Sequence, residues 1–352
     1  MMAAATFGTC GAPSSEKILG IVLAGGEGSR LRPLTTNHAK PALPVGGGAR
    51  LVDFVLSNLV NSGIDSIYLL AQHKPESLIR YIHSNWRLRP DGSERFMRVV
   101  LPQHEHGGCY RGTADAVYQN LALIERHAPN LVAVFAADHV FRMDVRQMVS
   151  YHRECGAEIT IAATQVPIAQ VSSYAIIEAG CRGEIWGLRD RQDAPIAVPS
   201  ALDRAYVSMG NYLFDTSVLV EELEWALRHG ETDFGRDILP RLIHTHQVHA
   251  YDFASNTVPG VQPHEEAAYW CEVGTLEAYA QAHQDITGSL PRFNLHNPQW
   301  PIRTAAIAQQ QPSPGAGRAH HARAMLNSHL PVPFANGCLS EGKLNDIRPG
   351  KV

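Results

Sequence analysis

The chain has 352 residues, 45% of them apolar and 18% charged, with a formal net charge of −4. That composition is ordinary for a globular protein, and the length exceeds what one core usually organises, so a large domain plus a smaller appendage is expected. The slight acidity points away from a nucleic-acid or anionic-membrane binder, and no apolar run approaches the roughly 18 residues of a membrane span.

Residues 1–16 (MMAAATFGTCGAPSSE) lack the basic and apolar segments of a leader peptide and are read as a flexible tail. A fully apolar run at 18–23 then predicts a strand buried on both faces. Three glycines follow it (Gly25, Gly26, Gly28), and after them two fixed cations, Arg30 and Lys40. Glycines let backbone N–H groups approach phosphate oxygens closely; Arg offers a planar fork of donors and Lys a movable point charge. A tight turn with no ligand would use the same glycines. Two familiar phosphate loops are excluded. No Lys-Ser or Lys-Thr pair follows the glycines, and Gly26-Glu27-Gly28-Ser29-Arg30-Leu31 lacks the third glycine of a dinucleotide fingerprint.

Residues 41–48 (PALPVGGG) are read as loop, 51–60 as helix, 67–71 as a second buried strand and 76–86 as helix. A third strand over 96–101 stops at Pro102, and a Gly- and His-rich loop leads to a helix over 113–126 with Thr113 as its N-cap. The run 131–136 (LVAVFA) makes a fourth buried strand, with Asp138 just past its C-terminal end. Further strands are expected at 158–165, 175–178, 210–214 and 248–253, and helices at 218–228, 238–244 and from 276. From residue 309 the composition turns linker-like, and the last thirty-odd residues show no strong periodicity. Alternating strands and helices predict an α/β fold with a mostly parallel sheet covered on both faces. Ligands of such sheets bind beyond the carboxyl ends of the strands, where the glycine turn and Asp138 both fall. The six cysteines form no CxxC pair, and no HxxxH or HExxH pattern occurs, which fits reduced thiols in a cytoplasmic protein and points away from zinc.

The segments LAGGEGSRLRPLT, AKPALPVGG, YRGTADAV, ADHVFRMD, SMGNYLF, DFGRDILP and YWCEVGTLEAY occur here in the order found in bacterial glucose-1-phosphate adenylyltransferases. The chain resembles that family of sugar nucleotidyltransferases over roughly residues 17–305. The resemblance implies a Rossmann-like, doubly wound catalytic domain at 17–305. It also implies that 306–352 form a linker and a truncated remnant (residues 336–339) in place of the family's left-handed β-helix. The family couples a nucleoside triphosphate with a sugar 1-phosphate to give a nucleotide sugar and pyrophosphate, with Mg²⁺ as cofactor. By motif match, Leu23, Ala24, Gly25, Gly26, Gly28, Gly112 and Thr113 would hold the nucleotide, and Gln103 or His104 would read the base edge. Arg30, Lys40 and Asp138 would be catalytic, and Asp138 with Glu272 would bind Mg²⁺. Tyr174, Ala175, Asp190, Arg191, Ser208 and Gly210 would line the acceptor pocket. Asp233, Arg236 and Asp237 read as structural supports of the site.

Several positions depart from the family pattern. Its Glu-Lys-Pro becomes Asp190-Arg191-Gln192, its Phe-Gly pair becomes Tyr174-Ala175, and its second metal-binding Asp becomes Glu272. Arg is larger than Lys and always charged, and Ala adds a methyl where backbone should meet ligand. The triphosphate half keeps its pattern while the acceptor half changes. That contrast resembles the short cyclitol-1-phosphate branch, such as the valienol-1-phosphate guanylyltransferases, and implies valienol 1-phosphate and GTP as substrates. Glucose 1-phosphate with ATP, a related cyclitol phosphate with an adenine nucleotide, and a non-catalytic homologue are the alternatives. Neither nucleic acid nor membrane is expected as a partner, and a homo-oligomer is left open.

Overall fold

A computed structural model describes residues 16–86, 95–103, 107–189 and 203–304. The tail at 1–15, His104, Asp190, Arg191 and the C-terminal stretch from 305 lie outside the described residues. In chain order the elements begin with β1 (Ile18–Ala24), β2 (Pro44–Val45), β3 (Ala49–Arg50), α1 (Leu51–Asn61), β4 (Ser66–Ala71), α2 (Pro75–Asn85) and β5 (Phe96–Val100). Then come α3 (Thr113–Tyr118), α4 (Leu121–His127), β6 (Leu131–Ala136), β7 (His139–Phe141), α5 (Val145–Glu154), β8 (Ile159–Pro167), β9 (Ile176–Ala179) and β10 (Ile185–Arg189). The remainder is β11 (Arg204–Asp215), α6 (Thr216–His229), α7 (Leu239–Leu242), β12 (Val248–Asp252), β13 (Trp270–Glu272) and α8 (Leu276–Thr287).

The strand period of two sorts side chains onto opposite faces of the sheet. Leu131, Ala133 and Phe135 of β6 pack with α1, α2 and α5 on one face. Val132 and Val134 pack with α3, α4 and α6 on the other. Both faces are apolar, which is why the strands read as continuous hydrophobic runs. The main sheet runs β10-β9-β11-β6-β1-β4-β5, with β8 joined to β11 and β12 to β8. Among the described residues, β10 and β11 oppose the rest, so seven of its nine strands share a direction. The sheet is therefore mixed but mostly parallel, as the sequence predicts. Strand order reverses between β1 and β6, the crevice where open α/β sheets place their ligands.

Several elements differ from expectation. Residues 41–48 are not plain loop: a 3-10 turn at Lys40–Ala42 leads into a small β2–β3 hairpin. The helix expected over 113–126 breaks at residues 119–120, and Gly112, not Thr113, occupies its cap position. A π-helical turn at Phe234–Ile238 and the short α7 replace the helix expected at 238–244. Helix α5 and strands β7, β10 and β13 are not among the expected elements. Strand β11 starts six residues before the expected 210 and shifts register between Ser208 and Tyr212. No helix among the described residues is long and apolar enough to cross a membrane.

Candidate active site

A cleft of about 520 Å³ opens at the β1/β6 switch point. Its floor is the end of β1 (Leu23) and the glycine turn (Gly25, Gly26), with Gly112 and Thr113 at the start of α3. Its far wall is Asp138 and His139 beyond β6, Tyr174 and Ala175 before β9, Ser208 to Gly210 on β11, and Trp270 and Glu272 on β13. Of the expected site residues, Ala24, Gly28, Arg30, Lys40 and Gln103 do not line it. Ala24 is buried at the end of β1, and Gln103 is exposed past β5. Asp190 and Arg191 lie outside the described residues.

Gly28 has a φ of 67° and caps the 3-10 turn carrying Arg30. A Cβ there would stand 2.9 Å from Thr35 Cγ2 and 3.2 Å from Lys40 Cβ, so glycine is required by both conformation and space. Arg30 itself is exposed, and its guanidinium lies beside Gly274: Arg30 Nη2 and Glu272 Oε1 each stand 3.3 Å from where a Gly274 Cβ would be. A third apolar cluster accounts for this meeting. Leu31, next to Arg30, packs in one group with Val140, Tyr269, Val273 and Ile286.

Lys40 is buried, and its Nζ donates to Asp138 Oδ2 at 2.6 Å. His139 Nε2 stands 3.4 Å from Asp138 Oδ1. Burial opposes ionisation of Asp138, but the fields of His139 and Lys40 outweigh it and hold its pKa below the usual carboxylate value. Burial pushes the His139 pKa down, against the opposing pull of Asp138 and Glu272. Glu272 pairs with His139 across the β7–β13 ladder, and Val273 donates its N–H to Asp138 O at 3.0 Å. Two carboxylates thereby face one end of the cleft. Among the described residues no trio of His, Cys, Asp or Glu is gathered to cage a metal. A pair of carboxylates plus phosphate oxygens is the donor set Mg²⁺ takes at nucleotide sites, so Asp138 and Glu272 fit that ion.

At the other end, a Cβ on Gly112 would stand 2.3 Å from Thr232 O, so only glycine lets α3 approach that carbonyl. Thr113 Oγ1 donates to Asp233 Oδ2 and accepts from the Phe234 N–H, both at 3.0 Å. Asp237 Oδ2 accepts the N–H groups of Thr232 and Asp233 at 2.9 Å, and its neighbour Arg236 holds its carboxyl well below the usual range. Asp233 and Asp237 thus shape the site as the sequence suggests. On the far wall, Gly210 has a φ of 68° and donates its N–H to Ser208 Oγ at 3.1 Å. The Tyr174 and Trp270 rings lie 5.3 Å apart, and His139 meets Trp270 edge-on at 5.4 Å.

Sequence reasoning missed His139, Trp270, Tyr110, Gln72 and His73 as cleft residues. His139 and Trp270 carried a signal, each adjoining or flanking a carboxylate inside a family-like segment. Gln72 and His73 carried none beyond following β4, whose end borders the cleft.

Residues 19–289 match the nucleotidyl transferase family. The chain is 47% identical over 291 residues to a glucose-1-phosphate adenylyltransferase of Thermodesulfovibrio yellowstonii, covering 82% of this chain and 71% of that one. It is 42% identical over 334 residues to the Thermus thermophilus protein of that name, covering 93% and 79%, and 45% identical over 291 residues to that of Mycolicibacterium vanbaalenii, covering 82% and 72%.

Proposed function

Because the chain belongs to the nucleotidyl transferase family, joining a nucleoside triphosphate to a sugar 1-phosphate, we propose that it makes ADP-glucose and pyrophosphate from ATP and glucose 1-phosphate. What supports this reading is the 41–47% identity to proteins of that name over 82% of the chain. Those names favour glucose 1-phosphate and ATP over the valienol 1-phosphate and GTP expected from the sequence.

An acceptor phosphate oxygen attacks the α-phosphorus. The new P–O bond forms as the bond to the β-phosphate bridging oxygen breaks, and pyrophosphate leaves with that electron pair. The acceptor oxygen is already anionic at neutral pH, so no base has to take a proton from it. The difficulty is bringing two anions together, which positioning and fixed charge overcome. The glycine turn and Arg30 bind the triphosphate from the β1 side. Lys40 moves from Asp138 toward the phosphates as they enter, since both compete for one ammonium. Asp138 and Glu272 would hold Mg²⁺, which when bound neutralises phosphate charge. Gly112 and Thr113 support the nucleoside, and Tyr174, Ser208 and Gly210 orient the acceptor.

One observation favours a second reading. Ala175 places a methyl, and Tyr174 a phenol beside Trp270, in the acceptor wall, which suits a cyclitol 1-phosphate. Pyrophosphate release separates the two, measured with Mg²⁺, each nucleoside triphosphate in turn, and either glucose 1-phosphate or valienol 1-phosphate. Turnover of glucose 1-phosphate with ATP at ordinary enzyme rates establishes the first reading. Turnover of valienol 1-phosphate alone refutes it.

A further inference from the structure

Arg30 and Lys40 are joined by a stretch that is braced from outside the cleft, by the N-terminus of α2. Lys74, the residue before that helix, has a φ of 50°, a left-handed conformation uncommon for a residue with a Cβ. Its Nζ donates to Thr35 O at 2.7 Å and also to Thr36 O. Ser77, in the first turn of α2, accepts the Ala39 N–H on its Oγ at 3.0 Å and donates to Lys74 O at 3.2 Å. Thr35, almost wholly buried, donates its hydroxyl to Gly28 O at 2.8 Å. Two short chains of contact result. One runs from Lys74 through Thr35 to Gly28, which caps the Arg30 turn. The other runs from Ser77 to Ala39, whose neighbour is Lys40. Neither Lys74 nor Ser77 lines the cleft.

We propose that Lys74 and Ser77 are positioning residues, setting the spacing of Arg30 and Lys40 before the triphosphate arrives. The proposal rests on the reading of those two cations as phosphate-binding groups. Without the brace, the ordering of residues 33–39 would have to be paid when nucleotide binds, so the defect falls on nucleotide affinity. The strained backbone at Lys74 is then understandable, because it turns the side chain back over the Thr35–Thr36 carbonyls.

The test compares wild type with Lys74→Met, Lys74→Arg and Ser77→Ala. It records amide hydrogen exchange across residues 28–40 without substrate, nucleotide binding by calorimetry, and KM and kcat for each substrate. For Lys74→Met the expected result is faster exchange over 28–40 and about a tenfold weaker nucleotide KM, with the acceptor KM unchanged. Lys74→Arg should recover most of both effects, because a guanidinium reaches the same carbonyls. Unchanged exchange with unchanged nucleotide KM overturns the proposal. So does an equal rise in both KM values with a lowered melting temperature, which a purely structural role would give. A nucleotide defect that vanishes near 0.5 M salt also overturns it, since a long-range steering charge is screened there and a tether is not. The exchange and calorimetry arms need no acceptor, so they decide the role of Lys74 and Ser77 even if the acceptor proves to be a different 1-phosphate.

Discussion

The tightest approach beneath the cleft is between Gly112 and Thr232, and it makes Gly112→Ala the most direct test of how the site is built. Gly112 has a φ of −179°, extended backbone open to any residue, so the demand for glycine is steric. A Cβ would stand 2.3 Å from Thr232 O and 2.8 Å from its carbonyl carbon, against roughly 3.5 Å for ordinary contact, so about 1 Å of separation is needed. The carbonyl cannot swing aside freely. It accepts the N–H groups of Ala114 at 2.9 Å and Asp115 at 3.1 Å, and the N–H groups of Thr232 and Asp233 are held by Asp237. Overpacking of this kind costs about 1–3 kcal/mol, which for a domain of this size lowers the melting temperature by roughly 3–10 °C. Because Thr113 is bonded to Asp233 and Phe234 beside that carbonyl, the cleft floor moves too, and if it carries the nucleoside as proposed, a misplacement near 1 Å costs up to about a hundredfold in kcat/KM. Thermal melts and steady-state kinetics with varied nucleotide check both effects. A variant that melts with wild type and keeps its nucleotide KM would refute this reasoning. One that loses stability alone would place the contact in the fold and not in the site.

Lys40→Met should keep the fold and lower kcat/KM by about a hundredfold or more, the scale of removing one charged stabiliser, as read by pyrophosphate release; a loss under about threefold would remove Lys40 from the machinery. Asp237→Asn should be less stable than wild type at neutral pH. The folded pKa of Asp237 is depressed, so its contribution is full above the ordinary carboxylate pKa and fades as pH falls from about 4 toward the folded value; denaturant titrations should therefore converge in acid, and a gap constant with pH would contradict this. Ala175→Gly removes the methyl from the acceptor wall and should raise the preference for glucose 1-phosphate over valienol 1-phosphate by about tenfold, measured as a ratio of kcat/KM values. An unchanged ratio would show that the methyl does not meet the acceptor.

The glycine turn at the cleft floor was legible because its signals are local. A buried strand, three glycines and two cations lie within 23 residues, and a strand-end aspartate announces the facing edge. What sequence could not show is which groups meet across long separations. Lys40 and Asp138 are 98 residues apart, and their 2.6 Å pair exists only because β1 and β6 are neighbours. For His139 the sequence shows only that it adjoins Asp138; its meeting with Glu272 depends on β13 pairing with β7. The helix expected to run through 126 breaks at 119–120, where Asn120 donates its side-chain amide to Ala116 O and to Tyr110 Oη, a local competition that periodicity does not register. The pattern 145–154 is amphipathic but mostly polar, so α5 becomes recognisable only once Val145, Met148 and His152 are seen buried.

The same contrast explains why the donor side of the reaction is easier to assign than the acceptor. Triphosphate binding draws on backbone glycines and fixed charges, whose identity is nearly the whole of their function. On the proposed reading, acceptor recognition draws on shape: the register shift in β11 between Ser208 and Tyr212, the left-handed Gly210, and the tilt of Tyr174 against Trp270. A methyl in such a pocket is worth only about 1–3 kcal/mol of discrimination, the scale that separates closely related six-membered rings. Family membership therefore fixes the bond that forms. On the proposed reading the walls contributed by β9, β11 and β13 decide which ring carries the phosphate, and Ala175 is where a single atom can be moved to find out.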